Sequence, residues 1–311
     1  MRSALADRGV AMTGPGETVK ARFWSVVRRY PSTAGTVWSK ECNPGQAFEG
    51  PLLQVLGSLA PDAFPSPLTV DDARGRFLLP DVGPVHRGER TVEGGVVPVL
   101  VQVAEVQQRL AASRDALLTA GLPSLTPAKV PDWWAALLEE LSVLPPEHPQ
   151  AVDPDRRRQL HAGTSRVRDW SAALHSSGVA DSFQHNDLNP GNVAAAGSGD
   201  RLRFFDVGDA FWSHPFAVVQ LPLAIGSGTW PWGPDVTDPA VVRALDAYLE
   251  PWTAPGVSLR DLRGLVGPAL LLAQVHRCES WRRLLAHVPP HRLGVEPPLL
   301  VAHLLRIARI V

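Results

Sequence analysis

The sequence has few cysteines, few lysines and almost no net charge. Its 311 residues include 2 cysteines, and 30 basic residues stand against 31 acidic ones, for a net charge of −1. Cys42 and Cys278 are far apart and lack metal-ligand spacing, which argues against a disulfide framework or a zinc site and favours a reducing compartment. Because no global field of one sign exists, we expect no nucleic-acid or membrane partner and look for a local site.

Long hydrophobic runs are also missing, although 45% of the residues are hydrophobic. The longest apolar stretch, residues 265–273, is far shorter than a membrane span, and residues 1–10 have no apolar signal-peptide core. We therefore expect a soluble, cytoplasmic protein that is a monomer or weak dimer. The chain is long enough to bury a large hydrophobic core, so it does not need disulfide bonds or a structural metal ion for stability.

The first part of the chain favours strands, and the rest favours helices. A hairpin is predicted around a five-residue turn at 31–35, followed by one helix over 46–59 and a Pro/Gly-rich linker at 80–84. The predicted strands are 23–30, 36–41, 67–70 and 76–79. The predicted later helices are 98–121, 153–178, 214–225, 239–249, 259–286 and 297–310, with a capping-box start at 258–261 and a kink at Pro268 in the fifth.

Two polar loops, each after a short apolar strand, carry the residues suited to chemistry. The first contains His185, Asp187 and Asn192, and the second begins at Asp206, 14 residues after the asparagine. Either segment alone is compatible with an ordinary turn or a helix cap. Together and in this order they match a phosphoryl-transfer arrangement, in which carboxylate and amide oxygens suit Mg²⁺ and the remaining acid accepts a hydroxyl proton.

These residues resemble the aminoglycoside phosphotransferase family, in its uncharacterised actinobacterial branch. The resemblance is carried by residues 184–188, 192–193, 204–210 and 214–216; its His-Asn-Asp departs from the commoner His-Gly-Asp or His-Asp-Asp only at Asn186. It implies an α+β, bilobal protein-kinase-like fold, with a nucleotide-binding N-lobe of five strands and one helix (1–84) and a mainly helical C-lobe (85–311). It also implies Asp187 as catalytic base, Mg²⁺ on Asn192 and Asp206, and ATP or GTP as co-substrate.

Lys40 is one of only three lysines, with Lys20 and Lys129. It lies on the strand before the first helix, where the kinase-like fold carries the lysine that binds the α- and β-phosphates. Its expected partner is Glu49, since Glu41 should point to the opposite face of the sheet. The alternative for Lys40 is a solvent-exposed lysine on a strand. The alternative for Glu49 is an acidic residue that only stabilises the N-terminus of a helix.

The remaining nucleotide contacts are predicted more loosely. Gly14 and Gly16 could form the turn over the phosphates, although a plain surface turn fits equally well. The resemblance places the hinge at Pro80, Asp81 and Val82, where main-chain groups would pair with adenine or guanine.

Supporting and acceptor residues complete the predicted site. His185 is expected to brace the first loop by hydrogen bonds, and Asp209 to cap the next helix or support the site. His214 is expected to be structural. Trp212, Trp230 and Trp232 are predicted to wall an acceptor pocket.

The predicted activity is transfer of phosphate from a nucleotide to a hydroxyl of a small molecule. The resemblance suggests an antibiotic, either an aminoglycoside or another natural product. Residues beyond Pro98 include 21 acidic and 19 basic side chains, so a polycationic acceptor is not demanded. The alternatives are a sugar or amino-sugar kinase, a catalytically silent kinase-like binding module, a protein kinase, and a metal-dependent hydrolase.

Overall fold

A computed structural model describes residues 5–85, 92–195, 201–230, 233–289, 291 and 299–309. The N-terminal part is a five-stranded antiparallel sheet with the order β1-β2-β3-β5-β4. Its strands are β1 (Glu17–Ala21), β2 (Ser25–Ser32), β3 (Gly35–Cys42), β4 (Thr69–Asp71) and β5 (Arg76–Pro80).

The β2–β3 hairpin is longer than predicted. Ser32 pairs with Gly35, so the turn has two central residues instead of five, and Gly35 has a φ of +92°. Pro31 fits in the strand because its carbonyl accepts from Thr13, which places its missing N–H on the side away from β3. The hairpin therefore holds Lys40 firmly within the sheet.

One helix, α1 (Glu49–Leu59), packs on the sheet through Leu52, Leu53 and Leu56. It begins three residues later than predicted, after a short 3-10 turn at Pro44–Gln46 that the Asn43 side chain caps. The later start places Glu49 in the first turn of α1, where it is completely buried.

The rest of the chain is mainly helical, and three predicted helices are each divided in two. The breaks fall at 111–113, at Gly163 and at Leu265. The predicted kink at Pro268 is wrong: the break at Leu265 comes before the proline, which then lies in a first turn where its missing N–H is tolerated. The predicted capping box at Ser258 and Asp261 is confirmed.

The helices of this part are α2 (Val97–Leu110), α3 (Arg114–Thr119), α4 (Val130–Ser142), α5 (Pro154–Ala162), α6 (Thr164–His175), α7 (Gln220–Gly226), α8 (Pro239–Leu249), α9 (Leu259–Gly264), α10 (Val266–Leu285) and α11 (Leu299–Arg309). Among the residues described, none of the helices is both long and apolar enough to cross a membrane.

Two small antiparallel ribbons lie at the junction of the two parts. One pairs β6 (Ser182–Gln184) with β9 (Phe211–Ser213), and the other pairs β7 (Val193–Ala195) with β8 (Leu202–Phe204). Because Val193 faces Phe204, the residues just outside this second ribbon, Asn192 and Phe205, are neighbours. The ribbons therefore bring the two polar loops together, as predicted.

Candidate active site

The first loop follows β6 and is fixed to the second by His185. The buried His185 ring donates from Nε2 to the carbonyl of Phe205, 3.0 Å away, and its Nδ1 accepts from the backbone N–H of Asp187 at 3.4 Å. Burial lowers the pKa of His185, which keeps the ring neutral and suits one donor and one acceptor nitrogen. The structure thus places His185 where the predicted bracing role requires it.

Asp187 lies in this loop with both carboxylate oxygens engaged. Its Oδ2 accepts from the side-chain amides of Asn189 at 3.2 Å and Asn192 at 2.9 Å, and its Oδ1 lies 3.0 Å from the Arg277 guanidinium. Burial raises the pKa of Asp187 to about 6, although the Arg277 charge opposes this rise. A carboxylate with this pKa is largely ionised at pH 7 and can still accept a proton.

Asn192 and Asp206 lie at the same end of the β7–β8 ribbon, one just before β7 and the other just after β8. The Asn192 amide nitrogen also donates to the Asp187 carbonyl at 2.8 Å, which leaves its amide oxygen available. Asp206 adopts a φ of +62°, an uncommon conformation for a residue other than glycine. Strain of this kind is typical of functional sites, where the surrounding structure maintains it.

Lys40 bridges the sheet, α1 and the second loop. Its Nζ lies 2.6 Å from Glu49 Oε2 and 2.5 Å from Asp206 Oδ1. Burial alone lowers the pKa of Lys40, but the two carboxylates outweigh it and raise that pKa well above its usual value. Burial raises the pKa of Glu49 to about 7, whereas the charge of Lys40 outweighs burial at Asp206 and keeps that pKa below its usual value. The predicted Lys40–Glu49 pair is present, and Glu41 binds Arg76 instead.

A cavity of about 220 Å³ opens beside Lys40 and Asp206. The predicted hinge residues Pro80, Asp81 and Val82 line it, and Asp81 accepts from the backbone N–H of Gly83. Its apolar lining is made by Val27, Trp38, Phe77, Leu79, Val85 and Phe205. A flat apolar group can therefore bind here next to the charged side chains of Lys40, Glu49 and Asp206, which also line the cavity.

The predicted metal ligands offer a small donor set. Within the described ranges, no group of three or more His, Cys, Asp or Glu side chains is arranged to hold a metal ion. One amide oxygen from Asn192 and one carboxylate from Asp206 fit Mg²⁺, which keeps several waters and is usually bound with substrate phosphates. They do not form a closed site for zinc.

The prediction that Gly14 and Gly16 cover the phosphates is not supported by their position. Both precede β1, and a Cβ at these positions would meet Pro31 and Tyr30 respectively. Tyr30 pairs with Val37 near the hairpin turn, whereas Lys40 lies toward the opposite end of β3. The strand direction therefore carries the two glycines away from the cavity, and residues 22–24 connect β1 and β2 at the end nearer Lys40.

Arg277 on α10 is a site residue that sequence reasoning missed. Besides Asp187, its guanidinium binds the carbonyl of Asn186 at 2.6 Å and Asp209 at 3.4 Å. Asp209 also accepts from Gln46, so it joins the two parts of the molecule and supports the site. It does not cap the next helical segment, because His214 does, which agrees with a structural role for that histidine. The only sequence signal for Arg277 was a charged residue among buried neighbours.

The predicted acceptor tryptophans lie in different environments. Trp212 is buried in β9 as part of the hydrophobic core, so the prediction that it walls a pocket does not fit its position. Trp230 is 47% exposed, and Trp232 lies outside the described residues.

Several solved kinases and phosphotransferases have the same overall arrangement as this chain. No protein-family model and no curated protein matches the sequence. A macrolide 2′-phosphotransferase of Brachybacterium faecium matches with a TM-score of 0.58 at 16% identity, covering 96% of this chain and 97% of that chain. A putative aminoglycoside phosphotransferase of Ralstonia eutropha has a TM-score of 0.58 at 11% identity, covering 99% and 97%. A choline kinase of Streptococcus pneumoniae has a TM-score of 0.57 at 13% identity, covering 98% and 96%. The chain therefore has the α+β, kinase-like fold of small-molecule phosphotransferases, as its two loops predict.

Proposed function

We propose that the protein transfers the γ-phosphate of ATP or GTP to a hydroxyl of a small molecule. The observation that carries this proposal is the convergence of Lys40, Glu49 and Asp206 in the lining of an apolar cavity. Asp187 lies in the adjoining loop, which His185 ties to the Asp206 segment. Such a site has the parts that phosphoryl transfer needs, because that chemistry depends mainly on positioning and electrostatic stabilisation.

The nucleotide base would occupy the apolar cavity, with its polar edge at the main chain of residues 80–82. Lys40 would then bind the phosphates instead of Asp206. The contact with Glu49 would hold the Lys40 ammonium in the direction of the phosphates. Mg²⁺ held by Asn192 and Asp206 would supply the charge that neutralises the triphosphate.

Asp187 would orient the acceptor hydroxyl and take its proton. Its pKa of about 6 suits a base near neutral pH, and the amides of Asn189 and Asn192 hold one carboxylate oxygen in place. The other oxygen faces Arg277. Arg277 acts through Asp187, so we assign it a positioning role.

The charge of Arg277 is compensated within the site, because its guanidinium is paired with both Asp187 and Asp209. We propose that the acceptor is an antibiotic, either an aminoglycoside or another natural product. A sugar or amino-sugar acceptor and a silent binding module are the alternatives.

The test is an acceptor screen with purified protein, ATP or GTP, and Mg²⁺. The library should contain macrolides, aminoglycosides and sugars, and phosphorylated products are detected by mass spectrometry. Asp187→Asn should retain nucleotide binding and lose turnover, whereas Asp169→Asn, an exposed acid on α6, should behave as wild type.

The outcomes separate the alternatives. Nucleotide binding without transfer to any acceptor supports the silent module, and phosphate release without an acceptor supports a hydrolase. Full turnover in Asp187→Asn contradicts the assignment of the base.

A further inference from the structure

A β-bulge in β1 places Lys20 on the face of the sheet that carries Lys40. Thr18 pairs with Arg28, so a regular ladder would set Val19 opposite Val27 and turn Lys20 to the other face. The register instead shifts between Thr18 and Lys20, and Lys20 lies opposite Val27. A bulge of this kind re-aims a side chain.

The register continues across the next strand to the cavity. Val27 pairs with Lys40, and both residues line the cavity. Directly opposed residues in antiparallel strands project from the same face, so Lys20, Val27 and Lys40 form one row. Adjacent strands are about 4.8 Å apart, which separates the backbones of the two lysines by roughly 10 Å.

The turn between β1 and β2 keeps Lys20 in this position. Asn43 donates its backbone N–H to the carbonyl of Trp24, and its side-chain amide to the carbonyls of Phe23 and Leu284. The rings of Phe23 and Trp24 also contact Trp281 on α10, at centroid distances of 6.1 and 6.0 Å. The turn is thus clamped to the helical part.

The side chain of Lys20 contacts this turn. Its Nζ lies 5.7 Å from the centre of the Trp24 ring, a cation–π contact. Its charge also reaches the second loop: Lys20 lowers the pKa of the partly exposed Asp206, though less than Lys40 does.

We propose that Lys20 is a second phosphate-binding residue, which contacts the terminal phosphates of the nucleotide from the β1 side. This inference rests on the proposed function. The turn at residues 22–24 has no glycine, and its Phe23 and Trp24 carbonyls are held by Asn43. An ammonium point charge beside such a turn supplies attraction that a glycine-rich loop would supply through backbone N–H groups.

The test compares nucleotide binding by Lys20→Met, Lys20→Arg and wild type, using calorimetry with ATP, ADP and adenosine in the presence of Mg²⁺. Lys129→Met is the matched control, because Lys129 lies at the start of α4 and contacts Ser124. Lys20→Met should weaken ATP binding by about tenfold, the size expected for one charge-assisted contact, and leave adenosine binding unchanged. Lys20→Arg should retain most of the affinity, and Lys129→Met all of it.

Each result has a separate meaning. If Lys20→Met binds ATP with wild-type affinity, the proposed role of Lys20 is overturned. An equal loss of ATP and adenosine binding also overturns this role. In both cases the proposed function stands. A wild-type protein that binds none of these three ligands and does not bind GTP either overturns the proposed function itself. Because Lys20 is exposed, unchanged thermal unfolding of the variants should show that they fold.

Discussion

Replacing Arg277 by glutamine should move the pH dependence of catalysis. Arg277 lies 3.0 Å from Asp187 and lowers the pKa of that carboxyl, which burial nevertheless raises to about 6. An opposite charge at this distance typically lowers the pKa of an aspartate by ~1–3 units, so its removal should raise that pKa to ~7–9. The proposed base is active when ionised, and we therefore expect activity to be lost as pH falls through this pKa.

The size of the effect at neutral pH follows directly. An acid of pKa about 6 is ~90% ionised at pH 7, whereas one of pKa ~7–9 is ~50% to ~1% ionised. Thus kcat/KM at pH 7 should fall by ~2- to ~100-fold and recover toward wild type at higher pH.

The assay is the pH profile of kcat/KM with the acceptor found in the screen. Arg282→Gln is the matched control, because Arg282 lies on the same helix and its partners, Glu279 and Glu140, are outside the site. An acidic limb that stays near pH 6 in Arg277→Gln would refute the reasoning. A loss that is equal at every pH would show that Arg277 matters for geometry and not for the charge of Asp187.

Three further variants test the site and the core. Lys40→Met removes the cation between two carboxylates and should weaken ATP binding at least tenfold in calorimetry; unchanged affinity would contradict its role. Burial raises the pKa of Glu49 to about 7, so the stability that its protonated form contributes is lost as pH rises from about 4.5 to about 7. Glu49→Gln should therefore flatten this part of the plot of Tm against pH. Parallel plots for the variant and the wild type would contradict this prediction. Leu56→Ala empties a completely buried position of α1 and should reduce the free energy of unfolding by about 2–5 kcal/mol in urea titrations; a change below about 1 kcal/mol would contradict its core position.

Short spacing explains why the centre of the site was predictable. Asp187, Asn192 and Asp206 lie within 20 residues, and the β7–β8 ribbon that joins their loops is a local pairing. Lys40 and Glu49 are likewise separated by one turn between a strand and a helix. In such short segments, the alternation of apolar and polar residues, the turn residues and the direction of the chain together leave few possible folded arrangements.

Other site residues depend on contacts that local patterns do not show. Arg277 reaches Asp187 across 90 positions of sequence, and only the packing of α10 against the first loop brings them together. The prediction for Gly14 and Gly16 failed because their place depends on where β1 begins in the sheet.

The amino-acid sequence by itself determined which residues meet at the centre of the candidate site, through residue types and spacings that allow few folded arrangements. The tertiary structure alone decided which charges surround that centre. A one-residue bulge sets the face of Lys20, and helix packing sets the position of Arg277, because a side chain's direction depends on strand register and on long-range contacts.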